Sequence, residues 1–274
     1  MITVAPTGAE NAKTEVPTLP VTLDELVSAA SECQAAGASV IHVHIRDEQT
    51  QPTLDLHLLK DTVAALREAT SLVVQVSTGG AVTDSESHRL AVLDCRPDAA
   101  SLTCGTVNFG TDVFMNRWSF MVDLYQKMQA LEIAPEFEIF DIGHVASMRR
   151  LLDRHGPPFG GRVHCDLVMG VPGGMPATPA TLVAAVHELP AGTTFSATGV
   201  GRSSLAVALA ALSAGGHLRV GMEDTVTFAP GEPVKDNCQL VTRAAELARL
   251  AQRPPMSTGE ARSFLGLTAK AEGN

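Results

Sequence analysis

Short β-branched runs alternate with longer stretches rich in Ala and Leu along the whole chain. In a strand successive side chains point to opposite faces, whereas in a helix residues three and four apart share one. On that basis "ITVAP", "ASVIHVHI", "LVVQVS", "AASLT", "EFEIFD", "VHCDLVMG", "TTFSATG" and "HLRVGME" read as strands. Each is followed by a helical stretch, from "TLDELVSAASECQAAG" to "VKDNCQLVTRAAELARLAQ". Thr22 with Glu25, and Thr83 with Glu86, have capping-box spacing, and Gly37 is a helix stop. A short helix near "TGEARSFLGL" is expected to close the end. Eight strand–helix pairs with no break in composition predict one (β/α)8 barrel domain over residues 1–274. A doubly wound open sheet would want G-x-G-x-x-G after the first strand, and "APTGAE" lacks that spacing.

The polar residues inside these strands fall on shared faces. His42 and His44 stand two apart, while Ile41, Val43 and Ile45 take the other side. Ser77 ends the third strand before "TGG", and Ser101 and Thr103 share a face of the fourth. Glu136 and Glu138 share a face of the fifth, and His217, Arg219, Gly221 and Glu223 one of the eighth. A barrel of this class carries its site at the C-terminal strand ends, so these groups are expected to converge on the mouth. Burying several charges is costly unless they pair or hold a metal. His42, His44 and Glu223 match the His₂Glu donor set of a catalytic zinc. The alternative is a pair of core histidines bonded to their neighbours, and H-x-H alone does not choose. Glu138, Arg219 and Asp224 at the same mouth favour the metal.

Composition narrows the partners. The chain is 45% hydrophobic and 18% charged, as soluble globular proteins are, and its formal net charge of −10 argues against nucleic acid or an anionic membrane. The cysteine count is odd and no C-x-x-C pair occurs, so reduced thiols in a cytoplasmic protein are expected. No secretory leader or membrane-length apolar run is visible. Cys104 and Cys165 read as small buried hydrophobes, Arg149, Arg150 and Arg154 as a solvated helix face. His57, His88, His155 and His187 read as solvated, while His144 and His164 stay open between structural and supporting roles. After the seventh strand, "TGVGRSS" offers Gly199, Gly201 and Arg202 for a phosphate and Ser203 or Ser204 as a helix cap. A plain tight turn explains it equally. "GVPGGMP" reads as a lid or an irregular loop.

The segments "APTGAENAKTEVPTLPVT", "AAGASVIHVHIRD", "QVSTGG", "PEFEIFDIGH", "ATGVGR" and "GGHLRVGMEDT" resemble the β-keto acid cleavage enzymes. "NCQLVTRAAELA" and "STGEARSFLGL" extend the likeness almost to the C-terminus. The resemblance implies a (β/α)8 barrel, a zinc ion, a homotetramer, and the reaction of a β-keto acid with acetyl-CoA to give acetoacetate and a new acyl-CoA. It places the zinc ligands on His42, His44 and Glu223, the acid/base on Asp224 with Arg219 beside it, and substrate contacts on Ser77, Gly80, Ser101, Thr103 and Glu138. Glu10 falls where the family can hold the far end of the substrate, although Lys13 stands near enough in sequence to pair with it. Two other classes fit the residues: a metal-dependent hydrolase on the same barrel, and a non-catalytic barrel that binds a keto acid.

Overall fold

In the computed structural model, which describes residues 1–267, eight parallel strands close into a barrel. Residues 268–274 of the expected domain lie outside the described residues. The strands are β1 (Ile2–Val4), β2 (Val40–Val43), β3 (Val73–Val76), β4 (Ala99–Thr103), β5 (Ala134–Ile139), β6 (His164–Met169), β7 (Thr194–Gly199) and β8 (His217–Val220). Each lies beside its sequence neighbours, and β1 closes the ring against β8, with Thr3 opposite Arg219. The surrounding helices are α1 (Leu23–Ala36), α2 (Leu56–Ala69), α3 (Glu86–Ala91), α4 (Trp118–Ala130), α5 (Ile142–His155), α6 (Pro179–Glu188), α7 (Ser204–Ser213) and α8 (Asn237–Leu250). The open-sheet alternative is excluded by the closure.

The period-two pattern explains where the core sits. Ile41 and Val43, Val74 and Val76, Phe137 and Ile139, and Leu218 and Val220 all point outward into one apolar layer under the helices. Burying each such side chain is worth about 1.5–3 kcal/mol, so this layer can hold the barrel without help from its interior. Apolar residues of the interior gather at the bottom, beside the buried imidazoles of His164 and His217. There Val40, Val73, Ala99 and Ala134 meet Ala261 and Leu265 around helix α9 (Thr258–Phe264), which closes that end as the tail pattern predicts. Higher up, barrels usually stack branched aliphatic residues. Here Gln75, Ser101, Glu136, Asp166 and Arg219 fill the interior, all buried.

Several local expectations are revised. The Thr22–Glu25 capping box forms at α1, and Gly37 ends that helix. The Thr83–Glu86 box does not form: α3 starts two residues later than Thr83 would require, and Ser85 caps it by accepting from the His88 N–H. Neither Ser203 nor Ser204 caps α7, because a 3₁₀ turn over Gly201–Ser203 leads into it and leaves Ser203 with helical backbone. The second strand stops at Val43, so His44 stands where the chain leaves the barrel. Ile45–Arg46 then pairs with Pro52–Thr53 in a small hairpin. Similar hairpins, Val107–Phe109 with Asp112–Phe114 and Thr227–Ala229 with Glu232–Pro233, rise beyond β4 and β8. Among the described residues no helix is long and apolar enough to cross a membrane. All five cysteines are free, with Cys104 and Cys165 fully buried.

Candidate active site

The C-terminal strand ends surround a cavity of about 350 Å³. Its wall includes His42, His44, Ser77, Gly80, Glu138, Arg219, Glu223 and Asp224, with Glu10 and Gly201 at the rim. The imidazoles stand side by side, with ring centroids 5.3 Å apart. Glu223 Oε1 lies 3.8 Å from His42 Nε2 and 3.6 Å from His44 Nε2.

Three observations fit a metal to these residues. The donor atoms of His42, His44 and Glu223 lie within 4.8 Å of one another. Both imidazoles are held neutral by burial, His42 down to about 3, which leaves lone pairs rather than protons in the site. His42 Nδ1 donates to Gln75 Oε1, so its free lone pair is on Nε2, toward Glu223. Burial alone would raise the Glu223 carboxyl, yet Arg219 outweighs it and keeps the group ionised. Its second oxygen, Oε2, is buried without a hydrogen-bond partner among the described residues. A divalent cation is the kind of partner such an oxygen lacks.

Arg219 organises the acids. Its Nε donates to Asp224 Oδ2 at 3.2 Å and its Nη2 to Asp224 Oδ1 at 3.0 Å, a two-point grip. The same Nη2 touches Glu223, and Nη1 lies 3.5 Å from Glu138. Burial raises the Asp224 carboxyl above the ordinary range against the pull of Arg219. Burial also raises Glu138, to about 6. One guanidinium thus serves three carboxylates at the mouth, with the buried Glu136 and Asp166 beneath them. A site in which an acid is poised to take a proton near neutral pH suits general-base chemistry.

The remaining sequence candidates divide. Ser77 and Gly80 line the cavity. Ser101 lies deeper and accepts the Thr78 N–H on its hydroxyl at 3.1 Å, while Thr103 donates to Glu138 Oε2 at 2.7 Å. Gly199 packs against the start of α7, where a Cβ would come 2.8 Å from Ser204, and it is not in the wall of the active-site cavity. Gly201 donates its N–H to the Asp224 carbonyl, so that N–H is not free for a phosphate. Arg202 stands exposed outside the main cavity. Lys13 pairs with Glu25 at 2.7 Å, which leaves Glu10 on the cavity rim. His217 does face inward, but from the opposite end of the barrel, against Phe264 of α9 and beside His164. His164 is therefore structural as well, and His144 accepts the Phe140 N–H at the start of α5.

Comparison with known proteins decides the family. The sequence profile of the beta-keto acid cleavage enzymes matches residues 1–267. The chain belongs to the beta-keto acid cleavage enzymes. It is 37% identical over 274 residues to the 3-keto-5-aminohexanoate cleavage enzyme of Acetoanaerobium sticklandii, covering 98% of each chain. It is 32% identical to the 3-oxoadipate:acetyl-CoA acetyltransferase of Cupriavidus necator, over 97% of this chain and 94% of that one. The apo structure of ObcA shares the fold at a TM-score of 0.78 and 20% identity, over 92% of this chain and 66% of that one.

This β-keto acid cleavage enzyme also uses residues that the sequence patterns did not single out. Arg46 Nη2 donates to the carbonyls of Gly8 and Asn11, which fixes the loop carrying Glu10. Arg89 is buried between the rings of Phe114 and Phe120 and donates to the Thr78 carbonyl, so it holds the "STGG" turn. Phe109, Phe114 and Phe140 pack edge to face into an apolar roof. The signal for that roof was present: "NFGTDVF" places Gly110 between β-branched and aromatic residues, a hairpin pattern.

Proposed function

We propose that this chain is a zinc-dependent enzyme that condenses a β-keto acid with acetyl-CoA to give acetoacetate and a new acyl-CoA. The observation that carries the reading is the His42–His44–Glu223 cluster set beside an Asp224 that Arg219 grips at two points. A zinc ion held by those three residues would supply Lewis acidity toward the keto acid's oxygens. Asp224 takes the proton from the carbon between keto and carboxylate groups. The resulting carbanion attacks the thioester carbonyl of acetyl-CoA and releases the coenzyme A thiolate. That thiolate attacks the original keto carbon, the adjacent C–C bond breaks, and the acetoacetate carbanion recovers the proton from Asp224. Arg219 keeps the Asp224 carboxylate aimed through both steps, while Ser77, Gly80 and Glu138 line the volume around the reacting carbons. No side chain need act as a nucleophile.

The same reading extends to the setting of the enzyme. We treat residues 1–274 as one catalytic domain. Leu205 and Leu209 on α7 and Val183 on α6 stand exposed, which supports a homo-oligomer, by resemblance a tetramer. Five unpaired thiols support a cytoplasmic location.

The test is a panel of β-keto acids with acetyl-CoA, read by acetoacetate formation, beside metal analysis of the purified chain. About one zinc per chain is expected. His44→Ala should stay folded, because the outward apolar layer is independent of the mouth, and should lose both metal and turnover. Full activity in metal-free wild type would defeat the mechanism.

A further inference from the structure

We infer that a second cavity, behind the "TGVGR" turn, receives the nucleotide end of coenzyme A. This inference rests on the acetyl-transfer reading above. A cavity of about 520 Å³ opens between the α7 start and the Thr227–Pro233 hairpin. It borders the active-site cavity directly: Gly201, Val226 and Thr227 belong to the walls of both. The active-site cavity, at about 350 Å³, is at the small end for ligand sites, which run from roughly 300 to 1,000 Å³. It has room for a keto acid and a thioester end, and the rest of coenzyme A has to leave over a rim. The Gly201–Thr227 rim leads into further space.

The chemistry of the second cavity suits a phosphorylated nucleotide. Arg202 lines it, is exposed, and its guanidinium makes no hydrogen bond or ion pair among the described residues. Arg243 lines it too, with its guanidinium 4.3 Å over the Phe228 ring, a flat wall of the sort on which a base stacks. Glu232 is the carboxylate in this wall, so two cations face one anion on a chain whose net charge is −10. Guanidinium groups are suited to phosphate by charge and fork geometry. The site also explains Gly201. Its φ is +62° and a Cβ there would meet nothing within 4 Å, so the low ridge between the cavities is kept open on its free side.

Calorimetric titration of the full chain with adenosine 3′,5′-bisphosphate tests this without turnover. Wild type should bind it, and Arg202→Glu should weaken binding at least tenfold, with Arg202→Lys in between. The ratio of KM for S-acetyl-N-acetylcysteamine to KM for acetyl-CoA should collapse by a similar factor in Arg202→Glu, because only acetyl-CoA carries the nucleotide. Equal bisphosphate affinity in wild type and Arg202→Glu, or an unchanged KM ratio, would overturn the site. Acetyl transfer with no effect of Arg202 leaves the reaction standing and removes this site. Bisphosphate binding that depends on Arg202, with no transfer from either thioester, keeps the site and removes the reaction.

Discussion

At the scale of single residues, the site is defined by what each carboxylate faces. Asp224 is buried, raised above the ordinary carboxylate range, and oriented by Arg219, whereas Glu223 is kept ionised chiefly by the same arginine. Two adjacent acids thus differ in their hold on a proton because their surroundings differ. Asp224→Asn preserves size and most hydrogen bonding but cannot accept a proton. We expect it to retain metal and lose turnover by roughly two to four orders of magnitude, the usual scale for a general base. Near-normal acetoacetate formation would shift the base to Glu138. We expect Glu10 to set selectivity. It stands on the cavity rim, its sequence neighbour Lys13 is engaged by Glu25, and Arg46 is directed to the carbonyls of Gly8 and Asn11. Its charge should favour a β-keto acid with a cationic far end over a neutral or acidic one of equal length. Glu10→Gln should erase that preference and spare neutral substrates. An identical ranking of substrates by the two proteins would make Glu10 a surface residue only.

At the scale of elements, most of the barrel was legible because period two and period 3.6 differ strongly in this chain. The pairs Ile41 and Val43, Val74 and Val76, and Phe137 and Ile139 mark strand faces without ambiguity, and the convergence of His42, Glu138 and Arg219 follows from strand ends alone. Less was legible where elements are too short to show a period. Ile45 reads as the last residue of β2, although Ile45–Arg46 pairs with Pro52–Thr53 in a separate two-residue hairpin that shows no period. The Thr83–Glu86 spacing read as a cap although Ser85 does that work. His217 shares a strand face with Arg219, and face alone does not say which end of the barrel a residue serves. Close approach of backbones is equally silent in sequence. Gly8, just past β1, has φ +64°, and a Cβ there would stand 2.5 Å from Glu223 Cγ. Gly8→Ala should therefore cost about 1–2 kcal/mol for the left-handed backbone. It should also displace the Glu223 carboxylate and weaken metal affinity by roughly 10–100-fold, as loss of supporting contacts does. Metal titration with circular dichroism checks this: unchanged affinity would mean that Glu223 does not depend on the turn after β1.

At the scale of the whole molecule, the barrel separates two buried polar layers. The mouth holds carboxylates around Arg219, and the closed end holds imidazoles. There His164 bonds Thr194 and Ser196, and His217 packs on Phe264 beneath α9. Both rings are held neutral, chiefly by burial, with His217 lowered to about 3 by burial and nearby positive charge together. An unfolded histidine takes a proton near pH 6.5, while the folded His217 refuses it until about 3, so the unfolded chain binds more protons between those limits. Stability from this group is complete above about pH 6.5 and is lost as pH falls through the window, at about 1.4 kcal/mol per pH unit for each such group. Glu136, raised by burial, acts with the opposite sign, so the net slope of the wild type does not isolate the histidines. A difference does. Urea unfolding of wild type and His217→Gln at pH 7.0, 6.0 and 5.0 should show the variant less stable at pH 7.0 but losing stability more slowly on acidification, by up to about 1.4 kcal/mol per unit. Parallel pH profiles would mean that His217 is protonated in the folded barrel, and that the closed end tolerates a charge that its burial under α9 argues against.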